Sequence, residues 1–490
     1  MKRSFPIILL LCGCSLEPKY VAPIPAIPAS WPIHDQRLLS SETGLAGLAH
    51  DEVFLDPRLR QLIAQALANN QDVRLALANI EAARGLYQVQ RSALLPMVTG
   101  AVSASVRAAP FASGNLSTNS NGSGTGNAGG TGPSTGTTTT TSNSGSRTLS
   151  ATYFADVGAS AFEIDLFGRV RSLSNAALNS FFATESAARA TRLTLVGEVA
   201  RVWFTLANDR SLVAISTQTV AAARQSERLT KLRLDGGVAP RTDFRQAQTV
   251  RATAEADLAN LTALVDQDRN ALTLLTGGPV TDAQLPASIE EAEATTAVPS
   301  AGLDSSILLR RPDVVEAEYR LRSNNASIGA ARAAFFPRIS LTGLAGLASS
   351  GLGSLLSGNA FSATLTPSVS IPIFGGTNRG NLAYAVAQRQ GAVASYEKAL
   401  QSAFRDVANA LARRSTIDRQ VAADEELVAA AQDTARLVDA RYRGGIDTYL
   451  TTLDAQRTLY TARRSLAAAR LARAQSVVAL YTALGGDPTI

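Results

Sequence analysis

The chain has 490 residues, of which 46% are hydrophobic, 18% charged and 6% aromatic, and its formal net charge is +6. This length allows two or three domains, and the charge is too small and too dispersed to favour a nucleic-acid partner. The two cysteines, Cys12 and Cys14, lie at the extreme N-terminus, which excludes a disulfide framework or a thiol catalyst elsewhere. No P-loop, Gly-x-Ser-x-Gly motif, histidine-based triad or metal-ligand spacing occurs, so the sequence predicts neither an enzyme nor a cofactor.

The first residues have the features of a bacterial export signal. Two basic residues precede a short apolar run, Phe5–Leu11, which is far shorter than the roughly 20 residues of a membrane-spanning helix. The run ends in Leu11-Cys12-Gly13-Cys14, which resembles a lipobox. We therefore expect a signal peptide over 1–13 and a lipid-modified Cys14. The alternative is an ordinary secretory leader whose cysteines are incidental.

A proline-rich segment follows the predicted acylation site. Five prolines occur between positions 18 and 32, and proline at this density favours extended polyproline geometry. We expect residues 14–56 to form a semi-rigid strap from the lipid to the body of the protein. One acyl chain holds a protein only weakly at a membrane, so the strap alone does not predict an integral membrane protein.

The strongest internal signal is a duplication. The segment Asp72–Pro96 recurs as Asp313–Pro337, at an offset of 241 residues. Apolar residues recur every seven positions in both copies, which is typical of a helix that presents one seam to its neighbours. A second block, which contains the glycine pairs, repeats at an offset of 208 residues. The seam residues are Val73, Ile80, Tyr87 and Leu94 in the first copy and Val314, Leu321, Ile328 and Phe335 in the second.

The difference between the two offsets predicts an insertion in the first copy. Residues 113–146 are almost entirely Gly, Ser, Thr and Asn, so they cannot bury enough apolar surface to offset their ordering entropy. We expect a long flexible loop over 108–147. Uncharged, strand-like segments flank this loop and its counterpart, and their length suits membrane-spanning strands of about 9–11 residues. The predicted strands are 96–107 and 148–167 in the first copy and 337–348 and 361–374 in the second.

Each copy continues as two long helices joined by a glycine turn. No proline occurs from Arg169 to Leu234, which corresponds to a helix on the order of 100 Å. The second copy repeats this pattern from Asn378 to Arg443. The helical regions are predicted as 169–275 and 377–484, within repeats 57–278 and 305–490 that the connector 279–304 joins.

Four strands per chain cannot close a sheet. Lipid tolerates no unpaired strand edge, because the backbone groups there would find no water. The sequence therefore predicts a homo-oligomer whose copies complete a membrane-spanning sheet.

Several motifs occur in order within this duplicated frame. Together with the lipobox and the strap, they resemble the TolC/OprM family of outer-membrane efflux proteins, in its lipoprotein (NodT-like) branch, over nearly the whole chain. The motifs are Arg310-Arg311-Pro312-Asp313, Ala333-Ala334-Phe335-Phe336-Pro337, Ile371-Pro372-Ile373-Phe374-Gly375, Arg441-Tyr442-Arg443-Gly444-Gly445 and Leu453-Asp454-Ala455-Gln456-Arg457.

The resemblance implies a fold of mixed α and β structure in a trimeric membrane protein. Three chains would form a twelve-stranded β-barrel in the outer membrane, four strands per chain, continued by a long periplasmic α-helical barrel. The implied function is the exit duct of a tripartite efflux pump that passively conducts drugs or other small molecules. The implied partners are two further copies, a periplasmic membrane-fusion adaptor, a proton-driven inner-membrane transporter and outer-membrane lipid.

Two other functions remain open from the sequence. The same kind of duct serves type I protein secretion, although the lipobox favours small-molecule efflux. A coiled-coil protein that merely bridges the periplasm is a different class. Such a bridge would need neither the uncharged strand pairs nor a Gly/Ser/Thr loop placed between two strands.

The resemblance also implies a periplasmic gate. The family's constriction maps onto Leu450, Asp454 and Arg457, and their spacing puts all three on one helix face. Rings of these residues from three chains would combine an apolar constriction with negative potential. On spacing alone, the alternative is an exposed helix face with an ordinary ion pair.

A contact that ties neighbouring helices together maps onto Asp243 and Tyr442. Where some relatives place an arginine partner, this chain has Asp447. The tie is therefore expected to be weaker or to use Arg443 or Arg241.

The glycine turns are the expected docking sites for the adaptor. Glycine permits the positive φ that a tight helix reversal requires, so a purely geometric role is the alternative. The predicted docking residues are Gly236, Gly237, Val238, Gly444, Gly445 and Ile446.

Overall fold

The computed structural model describes residues 15–24, 27–28, 30–31, 49–109, 148–298, 305–356 and 360–486. The predicted signal peptide 1–13, Cys14 and positions 110–147 of the predicted loop lie outside these residues. The described chain divides into two compact units. The sheet unit comprises Arg91–Phe167 and Ala334–Phe374, and the helical unit comprises Ser15–Gln90, Gly168–Ala333 and the chain from Gly375 onward.

The sheet unit contains one antiparallel sheet whose four strands are hydrogen-bonded to one another in chain order. Small, β-branched and aromatic residues dominate these segments, and such residues fit a pleated surface. The register shifts between Ala159 and Phe162, where Ala161 adopts a φ of 54°. A bulge of this kind increases the local twist of the sheet. The strands are β1 (Val98–Ala109), β2 (Thr148–Ile164), β3 (Arg338–Ser349) and β4 (Phe361–Ser370).

The strands β1 and β4 are the two edges of this sheet. β4 ends at Ser370, four residues before the predicted end, because Pro372 soon follows and has no N–H to donate. Pro367 lies inside β4, opposite Leu341, which an edge strand tolerates. Both edges carry exposed apolar side chains, including Val102 and Phe361.

The helical unit is built mainly from two long hairpins. Its two longest helices have 67 residues each and begin and end at equivalent positions of the repeat. Short 3-10 turns lie at Asp282–Gln284 and Ser305–Arg310, around the connector. The helices are α1 (His50–Val53), α2 (Pro57–Asn69), α3 (Gln71–Ser92), α4 (Arg169–Asp235), α5 (Arg241–Thr276), α6 (Ile289–Glu293), α7 (Pro312–Ala333), α8 (Thr377–Arg443) and α9 (Tyr449–Ala483).

The largest apolar core lies where α2 and α6 pack against α4 and α9. Trp203, Phe204 and Tyr481 are fully buried in it, and Phe54 packs edge-on against the Tyr481 ring at 5.5 Å. The Trp203 indole donates to the Gln284 carbonyl at 3.2 Å, which satisfies its buried N–H. Within the described part of the chain, no helix is both long enough and apolar enough to cross a membrane.

The predicted seven-residue seam is buried differently in the two copies. On α7, Val314, Leu321 and Ile328 are all buried, and eight residues of this helix are buried in total. On α3 the equivalent seam buries Val73 alone. Phe335, the last seam position of the second copy, lies beyond α7 and is 40% exposed.

The described part of the predicted strap packs against the helical unit. The Asn325 amide donates to the Pro18 carbonyl at 2.7 Å, and the Arg322 guanidinium lies 4.9 Å from the Tyr20 ring centre. Further along, the buried Trp31 stacks on Phe404 of α8 at 5.0 Å. The strap is therefore held by specific contacts with α7 and α8.

Candidate functional site

The two long hairpins reverse at glycine turns of identical geometry. In the first turn, Val238 N–H donates to the Arg233 carbonyl and Gly237 N–H to the Leu234 carbonyl, both at 2.9 Å. Gly237 has a φ of 73° and its counterpart Gly445 a φ of 79°, a conformation that favours glycine. The second turn repeats both hydrogen bonds, so each helix ends in a Schellman motif.

The predicted gate residues lie together on one exposed face at the start of α9. Leu450 is 64% exposed, and Asp454 and Arg457 are exposed on the same face, one and two turns later. Neither charged side chain makes an ion pair or side-chain hydrogen bond with the residues that the structure describes. We call these three residues the gate face. Their charges are available to groups outside this chain.

The opposite face of α9 is buried in a small cluster that we call the tyrosine cluster. It contains Ala247 of α5, Tyr442 at the end of α8, and Tyr449 and Leu453 of α9. The Tyr442 and Tyr449 rings lie 5.6 Å apart. Because Tyr449 and Leu453 are one helical turn apart, their burial fixes the rotation of α9 and turns the gate face outward.

The tyrosine hydroxyls are buried without partners. Neither hydroxyl has a hydrogen-bond partner among the described residues. Burial raises the pKa of Tyr449 strongly, and the nearby Tyr442, Asp243 and Glu227 raise it further. Tyr449 therefore stays neutral, and both tyrosines act as packing residues here.

The predicted tie between Asp243 and Tyr442 is not formed within the chain. Asp243 makes no ion pair or side-chain hydrogen bond with a described residue. Arg443, one proposed alternative partner, is paired with Asp439 at 2.8 Å instead. The tie therefore stays a prediction for a contact with a second copy.

Asp447, at the position where the family resemblance implied an arginine, is used within its own turn. Its carboxylate accepts two hydrogen bonds from the Arg441 guanidinium, at 2.7 and 3.0 Å. These hydrogen bonds hold the pKa of Asp447 below its usual range. Asp447 thus stiffens the second glycine turn.

A residue that the sequence analysis missed, Arg233, connects the two hairpins. Its guanidinium lies 4.5 Å from the Tyr442 ring centre and donates to the Tyr442 carbonyl at 3.3 Å. A comparison of the two copies of the repeat could have singled out Arg233. Arg233 and Arg441 are equivalent at the offset of 208, but the position equivalent to Asp447 is Ala239.

Each glycine turn exposes one apolar side chain at the same position of the repeat. Val238 is 76% exposed and Ile446 is 68% exposed. In both turns, arginine occupies the position that usually makes the apolar contact of a Schellman motif, so these side chains stay largely exposed. These side chains are therefore not needed to form the turns.

A groove of about 430 Å³ runs between the first hairpin and α9. Its walls include Thr219 and Ala223 of α4, Thr253 of α5, and Tyr460 of α9, and Arg457 of the gate face lies at its edge. The Tyr460 hydroxyl donates to Asp257 at 3.3 Å across it. Among the described residues, no cluster of His, Cys, Asp or Glu side chains could hold a metal ion.

The chain matches one protein family along most of its length. The model of the outer membrane efflux protein family matches residues 62–278 and 303–486. The chain is 40% identical over 484 residues to the antibiotic efflux pump outer membrane protein ArpC of Pseudomonas putida, covering 97% of this chain and 93% of that protein. It is 34% identical over 485 residues to the outer membrane protein OprJ of Pseudomonas aeruginosa, covering 98% and 94%.

A solved structure has the same fold. The open state of the MtrE outer membrane channel of Neisseria gonorrhoeae superposes with a TM-score of 0.78 at 34% identity, over 96% of this chain and 98% of that one. The family match therefore covers both copies of the repeat. These copies contain the four-stranded sheet and the two long hairpins. The chain belongs to the outer membrane efflux protein family and functions at the outer membrane.

Proposed function

We propose that this protein is the exit duct of a tripartite efflux pump, in which it conducts small molecules passively while an inner-membrane transporter supplies the energy. The relatives are named for antibiotic, solvent and toluene efflux, which favours apolar or amphipathic small molecules as substrates and favours efflux over protein secretion. A duct of this kind requires no catalytic residues and no cofactor.

The gate face carries the proposal. Leu450, Asp454 and Arg457 are exposed at the start of α9 while the other side of the helix is buried. Copies of this face arranged around a symmetry axis would form an apolar ring followed by rings of opposite charge. Such rings resist wetting and restrict ion flow, and pairing between Asp454 and Arg457 of adjacent copies would hold them closed.

The internal repeat indicates how copies of the chain would assemble into the homotrimer. Within the chain, α7 covers the first turns of α4, where Val170, Ser172 and Ala176 are buried. Helix α8 is equivalent to α4, but its first buried residue is Ala385. Helix α3 is equivalent to α7 and is largely exposed. We infer that α3 of one copy covers the start of α8 in the next copy.

Side-chain sizes support this equivalence. Gly329 of α7 faces Ser172 of α4 so closely that a Cβ at 329 would lie 2.6 Å from the serine Oγ. The equivalent positions are Gln88 on α3 and Gly380 on α8, and Gly380 has open space around it. In the first pair of helices the glycine is on α7, whereas in the second pair it is on α8, opposite the larger Gln88 of α3. This exchange is expected if α3 and α8 pack together as α7 and α4 do.

Cysteine crosslinking tests this interface. We expect Gln88→Cys combined with Gly380→Cys to give a crosslinked ladder ending at three chains under oxidising conditions, because disulfides form only over short Cα distances. Gln88→Cys combined with Gly391→Cys is the matched control, since position 391 lies three turns further along α8. Crosslinking in the control alone, or within one chain, would contradict the proposed interface.

We further propose that the glycine turns dock the adaptor through Val238 and Ile446. Their exposure at the same repeat position would present six apolar side chains in a trimer. A helical hairpin with apolar residues at its tip would fit such a ring. Replacing both residues with serine should abolish adaptor binding in a pull-down while the trimer persists.

The lipid anchor at Cys14 stays a proposal, because that residue lies outside the described part of the chain. The docked strap supports it, since Leu16 and Glu17 contact the end of α7 nearest to the strand β3 in the sequence. Mass spectrometry of the purified N-terminus should detect an acylated cysteine, and Cys14→Ser should remove that mass.

Single-channel conductance in a planar bilayer tests the function itself. A small wild-type conductance that rises in Asp454→Ala and Arg457→Ala would support both the duct and the gate. Glu426→Ala removes an exposed carboxylate of α8 and serves as the control. A conducting wild type with unchanged variants would reject the gate, and purified trimers without any pore would reject the duct.

A further inference from the structure

The two glycine turns are alike in backbone but differ in how their arginines are used. Arg233 and Arg441 both occupy the position five residues before the apolar side chain of the turn. Arg441 is held by Asp447 in its own turn, at 2.7 Å. The first turn has Ala239 at the position of Asp447, so no carboxylate retains Arg233 there.

Released from its own turn, Arg233 reaches the second hairpin. It contacts Tyr442 both through the face of the ring and through the carbonyl oxygen. The ring contact has no counterpart in the reverse direction, because the residue equivalent to Tyr442 in the first copy is Leu234, which offers no aromatic face. Among the described residues, this arginine–tyrosine contact therefore runs in one direction only and occurs once per chain.

The contact continues from Tyr442 into α9. Tyr442 is 5% exposed and packs against Tyr449, which is 2% exposed and is the first residue of α9. Tyr449 directly precedes Leu450 of the gate face. A displacement of Tyr442 would therefore free the buried side of α9 to rotate, and the gate face would rotate with it.

We propose that Arg233 is a positioning residue for the gate: by clamping Tyr442, it couples the first hairpin to the rotation of α9. This inference rests on the proposed gate and specifies what holds it. Asp243, the residue expected to make the tie, makes no such contact within the chain, whereas Arg233 does.

Conductance of the purified full-length protein in planar bilayers tests the inference. Arg233→Ala should raise the ratio of open to closed channels about two- to fivefold, the range expected for loss of a partly exposed cation–π contact. Arg233→Lys keeps the cation over the ring and should restore part of the closure. Tyr442→Leu should raise the ratio similarly, and combining it with Arg233→Ala should add nothing.

A variant that keeps Arg233, Ala239→Asp, should also open the gate. Ala239→Asp recreates in the first turn the carboxylate that retains Arg441 in the second, so it should draw Arg233 away from Tyr442 and increase conductance. Ala239→Asn lacks the charge and is its matched control. Arg245→Ala is the control for arginine loss, because among the described residues the Arg245 guanidinium makes its cation–π contact and its hydrogen bond within its own helix, with Phe244 and Gln248. Thermal unfolding temperatures should stay close to the wild-type value in the Arg233, Ala239 and Arg245 variants, which change no buried side chain.

The outcomes separate this inference from the proposed function. If Asp454→Ala opens the channel while Arg233→Ala and Ala239→Asp behave as wild type, the gate stands and the role of Arg233 is rejected. If the wild type conducts and none of these variants changes it, the gate fails and the role of Arg233 fails with it. A protein that forms no pore would overturn the duct and, with it, this inference.

Discussion

Glu293 of the connector and Arg473 of α9 form an ion pair at 2.6 Å in which the glutamate side chain is only 10% exposed. The pKa of Glu293 is nevertheless raised, because burial outweighs the stabilisation from Arg473 and Arg470. The charged form of the buried Glu293 carboxylate therefore depends on the nearby Arg473 guanidinium. Through it, the connector between the two copies is fixed to the second hairpin.

Removing that partner should destabilise the protein. We expect Arg473→Ala to lower the free energy of unfolding by on the order of 2–3 kcal/mol, since a buried charge loses its main partner while Arg470 remains 3.7 Å away. Arg436→Ala breaks an exposed pair with Asp433 on α8 and should cost at most about 1 kcal/mol. Chemical denaturation compares the two, and equal losses would show that burial of Glu293 is unimportant.

The contact between Gly329 and Ser172 predicts that a methyl group at position 329 is not tolerated. Its Cβ would also come within 2.8 Å of the Glu17 backbone in the strap, so both neighbours would have to shift. We expect Gly329→Ala to cost about 1–3 kcal/mol, the usual range for overpacking. Gly391→Ala is the control, because the first copy already carries alanine at the equivalent position 183. A Gly329→Ala protein as stable as the control would contradict the close packing of α7 on α4.

The strap should depend on the stacking of Trp31 on Phe404. Trp31→Ala removes a side chain that is 5% exposed and packed among residues of α8, so the strap should detach from the helical unit. Limited proteolysis should then cleave the strap at a rate at least about tenfold higher, which corresponds to about 1.4 kcal/mol. Trp31→Phe preserves the stacking and should stay resistant. Equal cleavage of both variants would show that the stacking does not hold the strap.

Stability should depend on pH through Asp268 of α5. Burial, followed by the charge of Asp209 on α4, raises the pKa of Asp268 to about 6. The folded protein therefore binds this proton more tightly than the unfolded chain. The contribution to stability is present below about pH 4 and is lost as the pH rises towards 6.

Asp268→Asn should accordingly unfold at a higher temperature than the wild type above pH 6, and the difference should disappear near pH 4. Thermal unfolding between pH 4 and 8 measures this. Asp266→Asn changes an exposed carboxylate two residues away and should follow the wild type at every pH. A constant difference across the range would mean that protonation of Asp268 is not its cause.

Local patterns in the sequence were sufficient to predict the long helices, the strands and the glycine turns, and their order along the chain. The spacing of Val314, Leu321 and Ile328 predicted a buried seam, and all three side chains are buried on α7. The glycine pairs predicted the two turns because positive φ is a property of a few consecutive residues. The spacing of Leu450, Asp454 and Arg457, by four and then three residues, also placed the gate face on one side of α9. In each of these cases the relevant interactions lie within one helix or one turn.

Contacts between distant segments were decided by the tertiary structure. The seam of α3 has the same period as that of α7, yet only Val73 is buried, because burial depends on which helix lies opposite. Arg233 and Tyr442 are 209 residues apart, and no periodicity relates an arginine to an aromatic ring on another hairpin. The sequence by itself determined the duplicated helices and their turns, since backbone conformation follows from neighbouring residues. Only the packing of the hairpins decided that Arg233 meets Tyr442, because that contact depends on distances that the spacing of residues along the chain does not set.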